Sequence, residues 1–197
     1  MPNTTKDIHG LSIEQINSSD IEQCRGLYNE LMAFQKSKAT IAREAFDMLS
    51  FDIRKEKYES AEASQFVVAK DKGEPVGYVF SVVEEVPTVP SPYPVWAPVK
   101  SGEKALGFYP DWDNLPAKAG CLSNIYVREP YRAIGLGSKL FDISMRWFEG
   151  LPDINLVFIH VSNGNDAAFD FYCKRGFTYS HDVFGGFIKA VYKFLRV

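Results

Sequence analysis

Seven residues constrain this chain more than any others: Arg132-Ala133-Ile134-Gly135-Leu136-Gly137-Ser138. They stand between an apolar, strand-like run over 120–127 and a helical pattern in which Leu136, Leu140, Ile143, Trp147 and Leu151 recur along one side. A strand that passes through a glycine loop into a helix leaves the first amides of that helix unpaired, at the positive end of its dipole. Glycines let a ligand approach that backbone closely, so the unit suits a phosphate or pyrophosphate. Two well-known glycine loops do not fit. A dinucleotide fingerprint needs a third glycine or alanine where Leu140 stands, and it belongs in the first strand-helix-strand unit of a chain. A P-loop needs Gly-Lys-Ser/Thr, whereas the order here is Gly137-Ser138-Lys139 with no matching glycine upstream.

The surrounding sequence supplies a sheet for this unit. Residues 11–16 alternate apolar and polar with one slip in phase, which predicts an opening strand. Ser19 and Glu22 have the spacing of a capping box, and Ile21, Cys24, Leu27, Tyr28, Leu31 and Phe34 continue at helical spacing. Thr40 is placed to cap a second helix carrying Ile41, Ala45, Met48, Leu49 and Ile53, with Arg54-Lys55-Glu56-Lys57 as its solvated end. The β-branched and aromatic runs 66–69 and 76–83 flank a turn cluster, Asp71-Lys72-Gly73-Glu74-Pro75, and predict a hairpin. A strand over 154–161, a short helix over 166–174 ended by Gly176, and a hairpin of 177–184 with 187–195 around Gly185-Gly186 complete the chain. The order predicts a mixed α/β or α+β sheet.

One stretch breaks the pattern. Seven of the 11 prolines and two of the three tryptophans fall within 86–116, where no period is sustained. Tyr93, Trp96, Phe108, Tyr109 and Trp112 are costly to leave in water, so this stretch is expected to be an ordered insertion packed on the fold. The expectation is a single domain over 1–197 with a Pro/aromatic-rich insertion at 86–117.

Composition removes several function classes. With 197 residues, 46% of them hydrophobic, the chain is long enough for one self-sufficient core. A formal charge of -3 offers no field for nucleic acid or an anionic membrane. No apolar run approaches the roughly 18 residues of a membrane helix, and the first residues lack the apolar core of a signal peptide, so a cytoplasmic location is expected. Cys24, Cys121 and Cys173 form no CxxC pair, and with only His9, His160 and His181 no metal centre is expected.

Arg132-x-x-Gly135-x-Gly137 resembles the Q/R-x-x-G-x-G/A signature of the GNAT superfamily of N-acetyltransferases, and it lies between the strand and helix where that family places it. Downstream, Asn165-x-x-Ala168-x-x-x-Tyr172-x-x-x-Gly176-Phe177 is similar to the family's second motif. The resemblance is clearest over 120–185. It implies a GNAT fold, with a mixed central sheet of about seven strands flanked by about four helices. It also implies an acetyl-CoA-dependent acyltransferase that needs no metal and acts on a primary amine: a small amine, a polyamine or a peptide N-terminus. Many relatives pair as homodimers. By the same resemblance, the amides of Arg132, Ala133, Ile134, Gly135, Leu136, Gly137 and Ser138 would bind the pyrophosphate. Backbone groups of Ile125, Tyr126 and Val127 would hold the pantetheine arm, and a bulge in that strand would splay it from its neighbour.

Asn165, Ala168 and Tyr172 share one face of a short helix by their i, i+3, i+7 spacing. The resemblance makes Tyr172 the general acid for the leaving thiolate; as an alternative it packs against the cofactor without transferring a proton. Asn165 would touch the cofactor arm or cap the helix. The base is harder to place. Positions where relatives carry a glutamate or histidine correspond to Cys121 and Ser123, neither of them a base at neutral pH. Glu84 or Glu85 could act through water, or could simply be a solvated strand end, and His160 is a further option beside an ordinary strand histidine. No histidine partner is identifiable for Cys121, so a covalent route is not expected. Glu84, Glu85, Asp111 and Asp113 flank the aromatic insertion and would suit a protonated amine under a lid. Two other classes stay open: an acyl-CoA-binding regulatory protein without turnover, and a nucleotide-binding module.

Overall fold

A computed structural model describes residues 5, 6, 8, 10–88, 94–97 and 107–196. His9 and, within the insertion, residues 89–93, Tyr93 among them, and 98–106 lie outside the described residues. The elements run β1 (Thr5–Lys6), β2 (Ser12–Ile16), α1 (Arg25–Lys38), α2 (Phe51–Ser60), β3 (Ser64–Asp71), β4 (Glu74–Glu85), β5 (Lys118–Val127), α3 (Leu136–Glu149), β6 (Leu156–Ser162), α4 (Asp166–Cys173), β7 (Thr178–Val183) and β8 (Ile188–Phe194), with 3-10 turns at Ser18–Cys24, Arg43–Met48 and Glu129–Tyr131. One sheet holds all eight strands in the order β1-β2-β3-β4-β5-β6-β8-β7. The first is a two-residue stub, so the expected sheet of about seven strands and four helices is what forms.

Two faces of this sheet are covered by different helices, and the period of two along β4 decides which residue meets which. Tyr78, Phe80 and Val82 pack with Leu27, Tyr28 and Leu31 of α1 and with Phe51 and Tyr58 of α2. Val79 and Val83 belong to the opposite core, with Leu136, Leu140, Phe141 and Phe148 of α3 and Tyr172 of α4, and Val76, the extra residue where the β3–β4 register shifts, joins them out of phase. Burial of each such leucine or phenylalanine contributes about 1.5–3 kcal/mol. The hairpin turns at Lys72-Gly73 and Gly185-Gly186 have positive φ, as their sequences predicted, and Gly176 ends α4 at φ 83°.

The second helix differs from its expectation. Thr40 caps nothing; residues 43–48 form a 3-10 turn, and α2 begins only at Phe51, where Ser50 Oγ accepts from the Ile53 amide at 3.3 Å. The cause is tertiary. Buried Asn163, after β6, accepts from the Thr40 and Ile41 amides at 2.6 and 2.9 Å and donates to the Ile41 and Phe187 carbonyls. The backbone around Thr40 is therefore bound sideways and cannot enter a helix, and Ala42 turns to φ 46°. The run Arg54-Lys55-Glu56-Lys57 consequently lies inside α2 and not at a solvated end. Likewise the capping box at Ser19 does not form, since Glu22 pairs with Arg25 at the end of a 3-10 turn. The buried side of α3 is rotated from the expected one, toward Phe141, Ser144 and Phe148 and away from Ile143 and Trp147.

Asn163→Ala removes the side-chain partner of the Thr40 and Ile41 amides and of the Ile41 carbonyl, while the Phe187 carbonyl keeps its bond from the residue 163 amide. Urea unfolding should show a loss of about 2–4 kcal/mol, larger than a surface Asn→Ala change.

Candidate active site

The site begins where a ladder stops. Strands β5 and β6 are parallel neighbours only over Gly120–Leu122 and Val157–Ile159. On its other side β5 pairs with β4 throughout, but Phe80 faces Asn124 while Ser81 faces Leu122, so Ser123 is an extra residue in a bulge. The bulge is held from above by α2. Tyr58 donates to Asn124 Oδ1 at 2.6 Å, and the Ser123 hydroxyl lies 3.1 Å from the Tyr58 oxygen. Beyond Leu122 the edge of β5 that would face β6, including Ile125, Tyr126 and Val127, has no strand partner. A cleft opens there, lined by Leu122–Ile125 of β5, Ile159–Ser162 of β6, and Asn165, Ala168 and Tyr172.

At the end of β5 the chain turns through the glycine loop. Arg132 is tied back to the strand: its Nε donates to the Val127 carbonyl at 2.8 Å, its guanidinium lies over Phe34 and Tyr126, and its amide bonds to the Glu129 carbonyl. That amide is therefore taken, unlike its expected role in a pyrophosphate cradle. The amides of residues 133–138, by contrast, have no backbone acceptor among the described residues. Gly135 caps α3 at φ 88°, a conformation that strains any residue with a Cβ, and Gly137 faces open space. Leu136 sends its side chain into the core and leaves its amide at the helix start. Ser138 Oγ accepts from Arg175 Nη2 at 2.7 Å, and that guanidinium stacks on Phe171 of α4, so α4 is tied to the start of α3.

Tyr172 and Ala168 point into the cleft as their spacing predicts. Asn165 stands at the N-cap of α4, but its side chain makes no cap hydrogen bond, so it remains directed to the cleft. Burial pushes the Tyr172 phenol well above its usual range, only partly countered by Arg175, and keeps it protonated.

On the far side of the splay a second, adjoining cleft is lined by Cys121, Ser123, Asn124 and His160, by Arg54 and Lys57 of α2, by Glu84, and by Phe108. From the sequence, His160 is a further option for the base and Cys121 has no identifiable partner; the structure puts His160 Nδ1 3.9 Å from Cys121 Sγ. His160 Nε2 lies 2.9 Å from the Phe108 carbonyl and must be the donor, so Nδ1 is the unprotonated nitrogen. Burial lowers the imidazole to about 4, against opposing effects of the Phe108 carbonyl and Glu84, and so it is neutral at physiological pH. Burial raises the Cys121 thiol far out of the nucleophilic range.

Glu84 is no solvated strand end. Its side chain is 16% exposed, paired with Lys57 at 2.6 Å and accepting from Tyr109 at 3.0 Å. Burial would raise its pKa, but Lys57 and the Tyr109 hydroxyl outweigh this and keep it ionised. Glu85 projects to the exposed side. The described part of the insertion packs on the fold: Trp96 meets Phe184 and Phe187, Tyr109 meets Phe158, and Trp112 meets Tyr192. His160 and His181 hold the successive carbonyls of Phe108 and Gly107. Asp111 and Asp113 are exposed and lie outside the His160 cleft, but with Glu84, Glu85, Tyr109 and Trp112 they line a separate pocket between the end of β4 and the insertion.

Arg54 is the residue the sequence reading missed. Its signal was present: Phe51 and Tyr58 are both buried, and position 54 falls on their face by i+3 and i+4 spacing.

Comparisons with known proteins agree with this geometry. A family model described as the acetyltransferase (GNAT) family matches residues 26–177. A probable N-acetyltransferase, san, of Drosophila melanogaster is 38% identical over 58 residues, which span 29% of this chain and 28% of the fly protein. Among solved structures, Arabidopsis thaliana NAA60 in complex with acetyl-CoA superposes with TM-score 0.56 at 16% identity, covering 94% of this chain and 98% of that one. A GNAT-family acetyltransferase of Staphylococcus aureus gives 0.60 at 16%, covering 94% and 99%. Arabidopsis thaliana Naa50 in complex with a bisubstrate analogue gives 0.56 at 17%, covering 93% and 97%. These structural likenesses establish the fold, and the family match over most of its length establishes that the chain belongs to the GNAT family of acetyltransferases.

Proposed function

We propose that this protein transfers the acetyl group of acetyl-CoA to a primary amine by direct attack within a ternary complex. The observation that carries this reading is the opening between β5 and β6, with six unpaired amides at one end of it and a neutral imidazole at the other. The amides of residues 133–138 and the start of the α3 dipole would hold the pyrophosphate. The free edge of β5 at Ile125, Tyr126 and Val127 would hold the pantetheine arm, with Asn165 and Tyr172 across the cleft. The unpaired backbone beside Ser123 would donate to the thioester oxygen as charge develops there.

The amine nitrogen attacks the thioester carbon, the new C–N bond forms and the C–S bond breaks. His160 Nδ1 accepts the amine proton, and the ionised Glu84 nearby favours the imidazolium. The phenol of Tyr172, kept protonated by burial, gives its proton to the departing thiolate. Glu84 thus acts through its charge, and Glu85, on the exposed side, contributes no group to the cleft. A route through an acyl-cysteine at Cys121 is disfavoured by its raised thiol pKa.

Calorimetry with acetyl-CoA, followed by free-thiol release over a panel of amines, tests the reading. Saturable binding and thiol release with an amine are expected; binding without release from any amine would instead mark a regulatory acyl-CoA-binding protein. Gly137→Asp places a carboxylate in the first turn of α3, where it favours the helix dipole yet repels the pyrophosphate. The melting temperature should hold or rise while acetyl-CoA affinity falls more than about tenfold, roughly 1.4 kcal/mol.

Tyr172→Phe should lower kcat by about 100-fold with little change in acetyl-CoA affinity. His160→Gln keeps a donor for the Phe108 carbonyl but has no basic nitrogen, and kcat/KM should fall by a similar factor. Because the His160 pKa is depressed to about 4, its acid limb lies near that pH. From pH 5 to 8, kcat/KM should therefore rise with deprotonation of the amine itself; an inflection near 6.5 that disappears in His160→Gln would contradict the assigned state.

A further inference from the structure

The acceptor cleft contains one charge that no carboxylate among the described residues answers. Three ionised side chains line it: Arg54, Lys57 and Glu84. Lys57 and Glu84 neutralise one another at 2.6 Å. Arg54 is half-buried, and no carboxylate among the described residues pairs with it. Its neighbours are phenols, Tyr28 and Tyr58. Both are engaged as neutral hydroxyls, since Tyr28 donates to the Leu49 carbonyl at 3.0 Å and Tyr58 to Asn124 Oδ1 at 2.6 Å. They accept from or orient the guanidinium but bring no negative charge. A second group in the same cleft is also unsatisfied: the buried Ser162 hydroxyl has no hydrogen-bond partner among the described residues.

A desolvated guanidinium without a counter-ion is unfavourable, and its planar fork matches a carboxylate through two parallel hydrogen bonds. A hydroxyl donor in the same cleft suits the same anion. The net charge facing the cleft is one positive, which opposes a polyamine and favours an acceptor that brings its own negative group. Phe46, Phe108 and Phe187 are among the residues that line this small cleft, which suits a small molecule.

Resting on the acetyl-transfer reading, we propose that the acceptor is a small amino acid, a primary amine and a carboxylate in one molecule, with Arg54 binding the carboxylate while the amine faces His160. Arg54 then sets specificity and not the chemistry of the transfer. Glu84, Glu85, Asp111 and Asp113 do line one pocket together with Tyr109 and Trp112, but it is a neighbouring pocket that shares only Glu84 and Phe108 with the Arg54 cleft, and Glu84 is paired with Lys57.

The test measures kcat/KM by thiol release for α-, β- and γ-amino acids, each beside its own carboxamide, with acetyl-CoA saturating. At least one amino acid should exceed its carboxamide by about tenfold or more. In Arg54→Gln that ratio should collapse toward one, and in Arg54→Lys, which keeps a charge but loses the fork, it should be intermediate. Carboxamides that react as well as the acids in the wild-type protein would overturn the proposal without any variant being needed, as would an unchanged ratio in a folded Arg54→Gln protein. Thiol release with polyamines or peptides but no member of this panel would also overturn it while leaving acetyl transfer intact. Absence of thiol release with every amine would remove the acetyl-transfer reading and this proposal with it.

Discussion

Everything at the site depends on one interrupted ladder. Two parallel strands that stayed paired to their ends would bury the backbone of β5 and leave no room for a ligand between them. The extra residue at Ser123 changes the twist of β5, and pairing with β6 ends at Leu122 and Ile159. What prevents the bulge from relaxing is a buried phenol on another element, Tyr58, which bonds across to Asn124 and Ser123. The aromatic packing of Tyr58 with Phe66 and Phe80 holds that phenol in turn. The opening is thus a property of the α2 face of the sheet as much as of the strand itself.

The walls of the opening are tied together by a few polar contacts between segments far apart in the chain. Arg175 joins α4 to the start of α3 through Ser138 and Phe171. Asn163 joins the end of β6 to the segment before α2. His160 and His181 grip adjacent carbonyls of the insertion, and the grip on Phe108 is also what leaves His160 Nδ1 without a proton. Anchoring the insertion and setting the tautomer of the imidazole are therefore one interaction.

Charge in the site is arranged so that each group has a definite state. Burial keeps the Tyr172 and Cys121 hydrogens on and the His160 ring neutral, while the Lys57 pair keeps Glu84 ionised. Of the three ionised side chains lining the His160 cleft, Arg54 is the one without a carboxylate partner among the described residues.

The sequence by itself determined the strand-loop-helix unit at 120–149, both hairpins, the glycines at positive φ, and the face shared by Asn165, Ala168 and Tyr172. These rest on local rules: a period of two or 3.6, a turn that only glycine adopts, amides freed at a helix start. The extent of α2, the burial of Glu84, the meeting of Cys121 with His160 and the direction of Arg54 were decided by tertiary structure. Residue 163 overrides the helical pattern at 40–49 from more than a hundred positions away, and Lys57 and Tyr109 reach Glu84 from two other segments. Contacts across such separations depend on which strands lie side by side, and periodicity along the chain carries no record of that.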